Sequence, residues 1–229
     1  MIKTLHGMHK RPDLSIEDLH HHWFEDHGPI VATAPRMVRY VQNITVPESY
    51  GGSPAPTHEG ASMTWFESLD DFWYSVDSGG WQVQKDDAPN WFDMAAPEGH
   101  SVAIEHPIVD GTTHSVMVKA ILLVARAPEL SLEEFQRRWL DEHGRLGAAL
   151  PGLRRYVQNH ALAEAYGHAG WPLSHDGWSE LWFDDLPTLQ AAFASSQAQA
   201  LTGDGHGLFD SSKSGIVIAR ERPVVVEPR

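Results

Sequence analysis

Apolar residues follow two alternating periods along the chain, and the same succession of periods occurs twice. The segments MIKTLHGMHK (1–10) and VMVKAILLVA (116–125) read as strands, the second as an uninterrupted apolar run of the kind a buried strand shows. Each is followed by apolar residues at helical spacing, Ile16, Leu19 and Trp23 in one case and Leu132, Phe135 and Trp139 in the other. Ser15 and Ser131 stand where N-caps belong, with Glu17, Asp18, Glu133 and Glu134 in the first turns. Gly28 and Gly144 are expected to stop these helices. Strands MVRYVQNITV and LRRYVQNHAL come next, then Gly/Pro-rich loops (47–60 and 163–177) and a third strand, ASMTWFE or WSELWFD. A second helix is expected from about Leu69 or Asp185. The stretches after it, including SSQAQA, read as irregular connections leading to HSVAIEHPIV and SGIVIARERPVV.

The pentapeptide RYVQN marks the repeat, at Arg39–Asn43 and Arg155–Asn159, 116 residues apart. At that offset residues 14–43 align with 130–159 without a gap, and 13 of the 30 positions are identical, among them Trp23, His27, Gly28 and the whole pentapeptide. WFESLDDF (65–72) meets WFDDLPTL (182–189) at an offset of 117, as WFD (91–93) meets LFD (208–210). A domain-sized unit has been duplicated, with expected ranges 1–112 and 113–229. The order βαββαβ in each is the ferredoxin-like arrangement. A four-stranded sheet with both helices on one face leaves the other face bare, carrying Trp65 or Trp182. Packing the two bare faces together covers them, so the expected fold is α+β: two ferredoxin-like repeats forming an intrachain dimeric α/β barrel. Further pairing of whole chains, a homodimer, is left open.

Charge and composition narrow the partners. A formal net charge of −14 with no dense Lys/Arg run disfavours nucleic acid and anionic membrane surfaces. The chain has no cysteine, which removes thiolate chemistry and disulfides. There is no leader-like apolar run at the start and no stretch of about 20 apolar residues, so the expected location is the cytoplasm. The 15 histidines and 9 tryptophans point instead to aromatic-lined space with titratable groups beside it, suited to a small-molecule substrate.

Four ring side chains and one carboxylate are the candidates for chemistry. His27 and His143 each lie four residues after a tryptophan, on the same helix face, and next to a glycine. A helix C-terminus favours imidazolium there and burial favours imidazole, a balance suited to a general acid or base; a histidine capping orphan carbonyls is the structural alternative. Tyr40 and Tyr156 could donate to a developing enolate from a barrel mouth, or serve as ordinary strand packing. Glu180 shares a strand face with Trp182, and if both point inward, burial is expected to raise its pKa; at a sheet edge it would face solvent. Its counterpart is Met63. Trp23, Trp65, Trp139, Trp182, Asn43 and Asn159 are expected to line the substrate space. The run His20–His22 cannot converge on one ion, since consecutive helical residues diverge by about 100°, and no metal or other cofactor is expected. His58, His160, His168 and His175 lie in or beside the loops after the second strands, where they could line an entrance.

The combination S-x-E-x-(L/F)-x-x-x-W-x-x-(E/D)-(D/E)-H-G, RYVQN and ELWF resembles EthD-domain proteins of the dimeric α/β-barrel superfamily. The resemblance covers both halves. It implies cofactor-independent chemistry on aromatic, lactone-like or polyketide compounds: fungal members include decarboxylases and dehydratases, and a bacterial methylmuconolactone methylisomerase rearranges a lactone. In that isomerase a histidine ending the first helix and a tyrosine on the second strand belong to the active site. Their positions match His27 and Tyr40 here, and through the repeat His143 and Tyr156. The wider superfamily also contains cofactor-free monooxygenases and haem-degrading enzymes. The expected function is therefore an isomerase, dehydratase, decarboxylase or C–C lyase using His/Tyr acid–base chemistry. The alternatives are a cofactor-free monooxygenase and a non-catalytic accessory protein that binds a small molecule.

Overall fold

The computed structural model describes residues 1–96 and 99–226; positions 227–229, the end of the second repeat's expected range, lie outside the described residues. The first repeat runs β1 (Ile2–Met8), α1 (Ile16–His21), α2 (Gly28–Val31), β2 (Met37–Thr45), β3 (Gly60–Phe66), α3 (Leu69–Asp77), α4 (Gln82–Asp87) and β4 (Gly99–Val109). The second runs β5 (Val118–Val124), α5 (Leu132–Arg138), α6 (Gly144–Ala148), β6 (Leu153–Ala161), β7 (Gly177–Phe183), α7 (Leu186–Phe193), α8 (Ser196–Gly205) and β8 (Gly215–Val224). The expected caps are present. Ser15 Oγ accepts from the Asp18 amide at 3.0 Å while the Asp18 carboxylate accepts from Ser15 N at 3.2 Å, and Ser131 Oγ accepts from Glu134 N at 3.1 Å.

Two expectations fail locally. Gly28 and Gly144 do not end the helices. Their φ values of −56° and −57° are right-handed, and the chain passes through a π-helical turn (His22–His27 and Trp139–His143) straight into α2 and α6. The stretches read as connections hold α4 and α8, the latter capped by Ser195, whose Oγ accepts from Ala198 N. The first is a short helix and the second only weakly amphipathic, so neither shows a clear apolar period in sequence.

All eight strands form one closed antiparallel barrel in the order β1-β3-β2-β8-β5-β7-β6-β4. Within each repeat the strands pair as a ferredoxin-like sheet. The edge strands of one sheet then pair with those of the other, β2 with β8 (Tyr40 opposite Val224, Thr45 opposite Ala219) and β4 with β6 (Ala103 opposite Ala161). No strand edge is left open along these seams.

Strand alternation fixes what fills the barrel. Leu5, Val41, Met63, Trp65, Ile121, Trp178 and Val217 form one buried cluster inside it. Beside them lies an ionic network. Lys119 Nζ donates to Glu180 Oε2 at 2.8 Å and Glu221 Oε1 at 2.7 Å; Lys3 Nζ donates to Glu105 Oε1 at 2.9 Å and also to Glu180. Trp178 Nε1 and Asn159 Nδ2 complete the shell of Glu180, each at 3.0 Å from Oε1. Lys3 and Lys119 also sit over the Trp65 and Trp182 rings, each 4.8 Å from the centroid. Burial alone would raise the Glu180 pKa, as the sequence suggested. The two ammonium groups more than reverse that, and its carboxyl is held far below the ordinary range. Glu180 is thus a permanent anion shared by two pseudo-symmetric lysines, not a proton donor or acceptor near neutrality. Met63, at the equivalent point, lies against Lys119 (Sδ to Nζ 3.9 Å). A second carboxylate there would set four anions against two cations, so the duplicated barrel has broken its symmetry at its axis.

Replacing Glu180 with Gln should therefore destabilise the chain by about 3–5 kcal/mol, the usual cost of stranding buried charge. A Lys3→Met, Lys119→Met, Glu180→Met triple variant should recover most of that loss, since Glu105 and Glu221 reach solvent. Denaturant midpoints for both variants check this, and a Glu180→Gln variant as stable as the parent would contradict it.

Candidate active sites beneath the helices

The repeated pentapeptide is explained by the two faces of β2 and β6. Arg39 lies over Trp65 (4.3 Å to the centroid) and Arg155 over Trp182 (5.7 Å). Val41 and Val157 are buried on the barrel side, where Asn43 Nδ2 donates to Ala61 O at 2.9 Å and Asn159 Nδ2 to Trp178 O at 3.2 Å. Tyr40, Gln42, Tyr156 and Gln158 face the helices. Gln42 Nε2 donates to Trp23 O and Gln158 Nε2 to Trp139 O, both at 2.8 Å. These are carbonyls of the π-helical turns, which also accept from the amides of Gly28 and Gly144. The glycines serve this contact: a Cβ on Gly28 would come within 2.7 Å of Gln42 Nε2, and one on Gly144 within 3.1 Å of Gln158 Nε2. The pentapeptide thus pins a widened turn, a feature frequent at functional sites, and the residue at the end of each turn is His27 or His143.

Both histidines are buried, and each meets a carboxylate. His27 Nδ1 lies 2.8 Å from Asp87 Oδ2, and His143 Nδ1 lies 2.8 Å from Asp204 Oδ2. Asp87 also accepts from His22 Nε2 (2.9 Å to Oδ1) and Asn90 Nδ2 (3.1 Å). An ionised carboxylate can only accept, so Nδ1 carries the hydrogen and Nε2 holds the free lone pair. Burial lowers the pKa of both rings, more than the partner carboxylates raise it, so both are neutral at pH 7. Each ring lines a separate cavity between the outer face of the barrel and its helices. The first, about 360 Å³, is bounded by His6, His27, His100, Trp81, Trp91 and Trp171. The second, about 380 Å³, is bounded by Leu122, His143, Leu150, Phe193, Leu201 and Phe209.

The other expected site residues divide between three places. Trp65, Trp182, Asn43, Asn159 and Glu180 are buried inside the barrel, among the side chains described above, and line neither cavity. Trp23, Trp139, Tyr40 and Tyr156 lie on the opposite side of the sheet, packed between helix and sheet, and line neither cavity. Tyr40 Oη accepts from Trp23 Nε1 at 3.1 Å, and Tyr156 Oη accepts from Gln158 Nε2 at 2.8 Å. Burial raises both phenol pKa values. The barrel mouth expected for these phenols is therefore corrected. Their alternation places them away from the interior, and the helix covers them. His27 and His143 line the cavities, but not as helix C-termini, because each helix continues through them. Asp87 and Asp204 were missed, although they are equivalent at offset 117 and lie four residues before the WFD and LFD pair that was read. Also missed was the correspondence of Thr57-His58-Glu59-Gly60 with Ser174-His175-Asp176-Gly177. In both, the hydroxyl meets the imidazole Nδ1 (2.8 and 2.9 Å) and the acid accepts from a backbone amide just past β1 or β5. Among the described residues no group of three or more His, Asp or Glu is placed to hold a metal ion, and no helix is long and apolar enough to cross a membrane.

A closed barrel of two ferredoxin-like sheets, each with a cavity under its helices, defines the dimeric α/β-barrel class. The EthD domain model matches residues 11–95 and again 127–212, and the chain belongs to that family, with two domains in tandem. Solved structures of the same fold include an anthrone oxidase-like protein (TM-score 0.67, 12 % identity, 97 % of this chain and 92 % of that one). A protein named as a candidate monooxygenase from Fusobacterium nucleatum aligns with TM-score 0.56, 7 % identity, 97 % of this chain and 93 % of that one. A mutant chlorite dismutase from Candidatus Nitrospira defluvii, in complex with cyanide, aligns with TM-score 0.53, 11 % identity, 97 % and 90 %. At these identities the likeness is one of fold. No protein of curated function matches the sequence.

The buried imidazoles make stability depend on pH. Burial brings His58 and His100 down to about 4 and His160 to about 3, and His6, His27, His143 and His175 are lowered too. An unfolded histidine takes up its proton near pH 6.5, so between there and about pH 4 the unfolded chain binds more protons than the folded one. Stability is full above that window and falls as pH drops through it. The Tm should decline by on the order of 10 °C or more from pH 7 to pH 4.5. Glu180, protonated only at far lower pH, adds nothing there. A Tm that stays level over this range would show that the rings are solvated.

Proposed function

We propose that the chain is a cofactor-independent enzyme that ionises a carbon acid, an aromatic or carbonyl-activated C–H, with His27 or His143 as the base. The observation that carries this reading is the twice-repeated pairing of a neutral, carboxylate-oriented imidazole with a mostly apolar cavity. The Asp fixes the tautomer, and the ring presents Nε2 as a base already in its free form at neutral pH. On proton transfer the imidazolium gains its charge next to Asp87 or Asp204, which stabilises it without solvent. An enolate formed in the cavity can then regain a proton elsewhere, expel a leaving group, or lose a carboxyl group. These are the isomerase, dehydratase and decarboxylase outcomes. The two tyrosines are second-row supports on this reading: they hold the tryptophan and glutamine that pin the turn, and do not touch substrate.

A second reading shares the first step. The anthrone oxidase-like and monooxygenase neighbours suggest that the carbanion could meet O2: a CH2 group plus O2 gives a C=O group and water, with no added reductant. Anthrone in D2O is a suitable probe for both. Deuterium uptake at its methylene, accelerated by the protein, is expected from the shared first step, and oxygen consumption separates the two readings. His27→Gln and His143→Gln together should abolish the acceleration, and each alone shows which cavity works. Asp87→Asn or Asp204→Asn at the working site should lower the rate about 10²–10⁴-fold, with KM little changed. The rate should rise with pH to a plateau, with its midpoint below the ordinary histidine value of about 6.5, because the base is lowered by burial. Exchange no faster than in buffer, with probe still retained, would favour the non-catalytic binding role.

A further inference from the structure

The two His–Asp pairs are alike at the imidazole and unlike behind it. Among the described residues the Asp204 carboxylate meets one side-chain donor, His143. Asp87 meets three: His27 Nδ1 at 2.8 Å, Asn90 Nδ2 at 3.1 Å, and His22 Nε2, which lies 2.9 Å from Oδ1 and 3.0 Å from Oδ2. The first carboxylate is also the more deeply set, 12 % exposed against 26 %. By the repeat, the positions of His22 and Asn90 are taken by Arg138 and Gly207. Gly207 has no side chain to donate, and Arg138 turns its Nη1 to the Gly207 carbonyl at 3.3 Å. One half therefore has a second imidazole on the orienting carboxylate, and the other has none.

His22 is placed to do more than hold Asp87 still. Its other ring nitrogen, Nδ1, lies 3.4 Å from Asp26 Oδ2, one helical turn on. The ring stands between two carboxylates, and only with a hydrogen on each nitrogen can it donate to both. In that form it brings a positive charge to the carboxylate that His27 needs when it takes up a proton. A like charge nearby disfavours the second imidazolium, and a carboxylate already offset by one cation gives less to another. His22 thus acts against the His27 proton alongside burial, whereas at His143 burial is opposed by Asp204 alone. The other titratable groups facing His27 are His6 on β1, His100 on β4 and Lys85 on α4, which line its cavity. Burial keeps the first two rings neutral at pH 7. His206 lines the cavity of His143.

We propose that His22 is a positioning residue of the first site, that it shares Asp87 with His27, and that the shared carboxylate couples the two rings, so that the first site answers to two proton-binding steps and the second to one. The proposal rests on reading His27 and His143 as the bases, and it assigns the regulation of one of them. His143 is a base of fixed strength. The strength of His27 depends on pH: as His22 gives up its charge, Asp87 is left wholly to His27.

Titration of the full chain labelled with 15N-histidine, followed through the ring resonances, tests this without turnover. The His27 signals should move in two steps, one of them at the pH where the His22 ring itself titrates, and the His22 ring should in turn register the titration of His27. His143 should move in one step. His22→Gln, which can still donate to Asp87 but carries no charge, should leave His27 with a single step and a midpoint higher by about half a pH unit or more. The reciprocal Arg138→His should give His143 the second step, a gain that a damaged fold does not produce. A one-step His27 curve in the parent chain, or a midpoint that His22→Gln does not raise, would overturn the proposal. A two-step His27 curve in a chain that exchanges no anthrone proton would uphold the coupling and remove only the catalytic reading.

Discussion

Each repeat makes a sheet with two open edges and one uncovered apolar face, and neither can persist in water alone. Pairing β2 with β8 and β4 with β6 removes four edges at once and encloses both faces. Everything about the sites follows from that closure. The enclosed face becomes core, filled by Trp65, Trp178, Met63 and the lysine–glutamate network. The two cavities lie on the outer faces, between the sheet and the layer that holds α4 and α8. The barrel is a scaffold, and the cavities are satellites of it.

The closure also binds the two cavities to one another. The loop after β6 delivers Trp171 to the first cavity, and the loop after β2 brings Pro54 beside the second. At the barrel end between them, His58 packs so closely that a Cβ on Gly215 would come within 2.5 Å of its Cε1. A chain carrying one repeat would therefore lack both half its barrel and the roof of its own cavity. Duplication within one chain has a further effect that pairing of identical subunits does not: the partners can diverge. Glu180 against Met63 is one such divergence at the axis, and His6 and His100 against Leu122 and Ile216 is another at the cavity floor.

How much of this was legible in sequence depends on the range of the contact. The repeat, the strand order, the N-caps and the barrel could be read because periodicity and duplication are local or self-referential signals. The inward direction of Trp65 and Trp182 followed from alternation. The same alternation already placed Tyr40 and Gln42 on the opposite face from Val41 and Asn43, so a single chamber lined by both Tyr40 and Asn43 was inconsistent with the strand's own geometry. The π turns were not legible, since no residue type demands one and the extra residue is visible only through Gln42 and Gln158. Asp87 and Asp204 carried a signal, their shared offset, but a weak helix around each hid it. Glu180 shows a different limit. Burial alone predicts a raised pKa, and only the register that brings Lys3 and Lys119 to the same carboxylate reverses the sign.

The contrast between what the two halves retain and what they change bears on the proposed chemistry. A histidine whose role was only to fill space would be free to differ between the halves, as His6 and His100 differ from Leu122 and Ile216, and Trp81 and Trp91 from Ala198 and Leu208. Yet the ring at the end of the π turn, its carboxylate partner 60 or 61 positions later, the glutamine that holds the turn, and the glycine that admits the glutamine are the same in both halves. An Asp that orients Nδ1 and leaves Nε2 toward a cavity serves no packing purpose, and each of these carboxylates is partly withdrawn from water to make the contact. Two sites that keep this pair while exchanging most of their other lining residues are what the proposed proton-transfer role would leave behind.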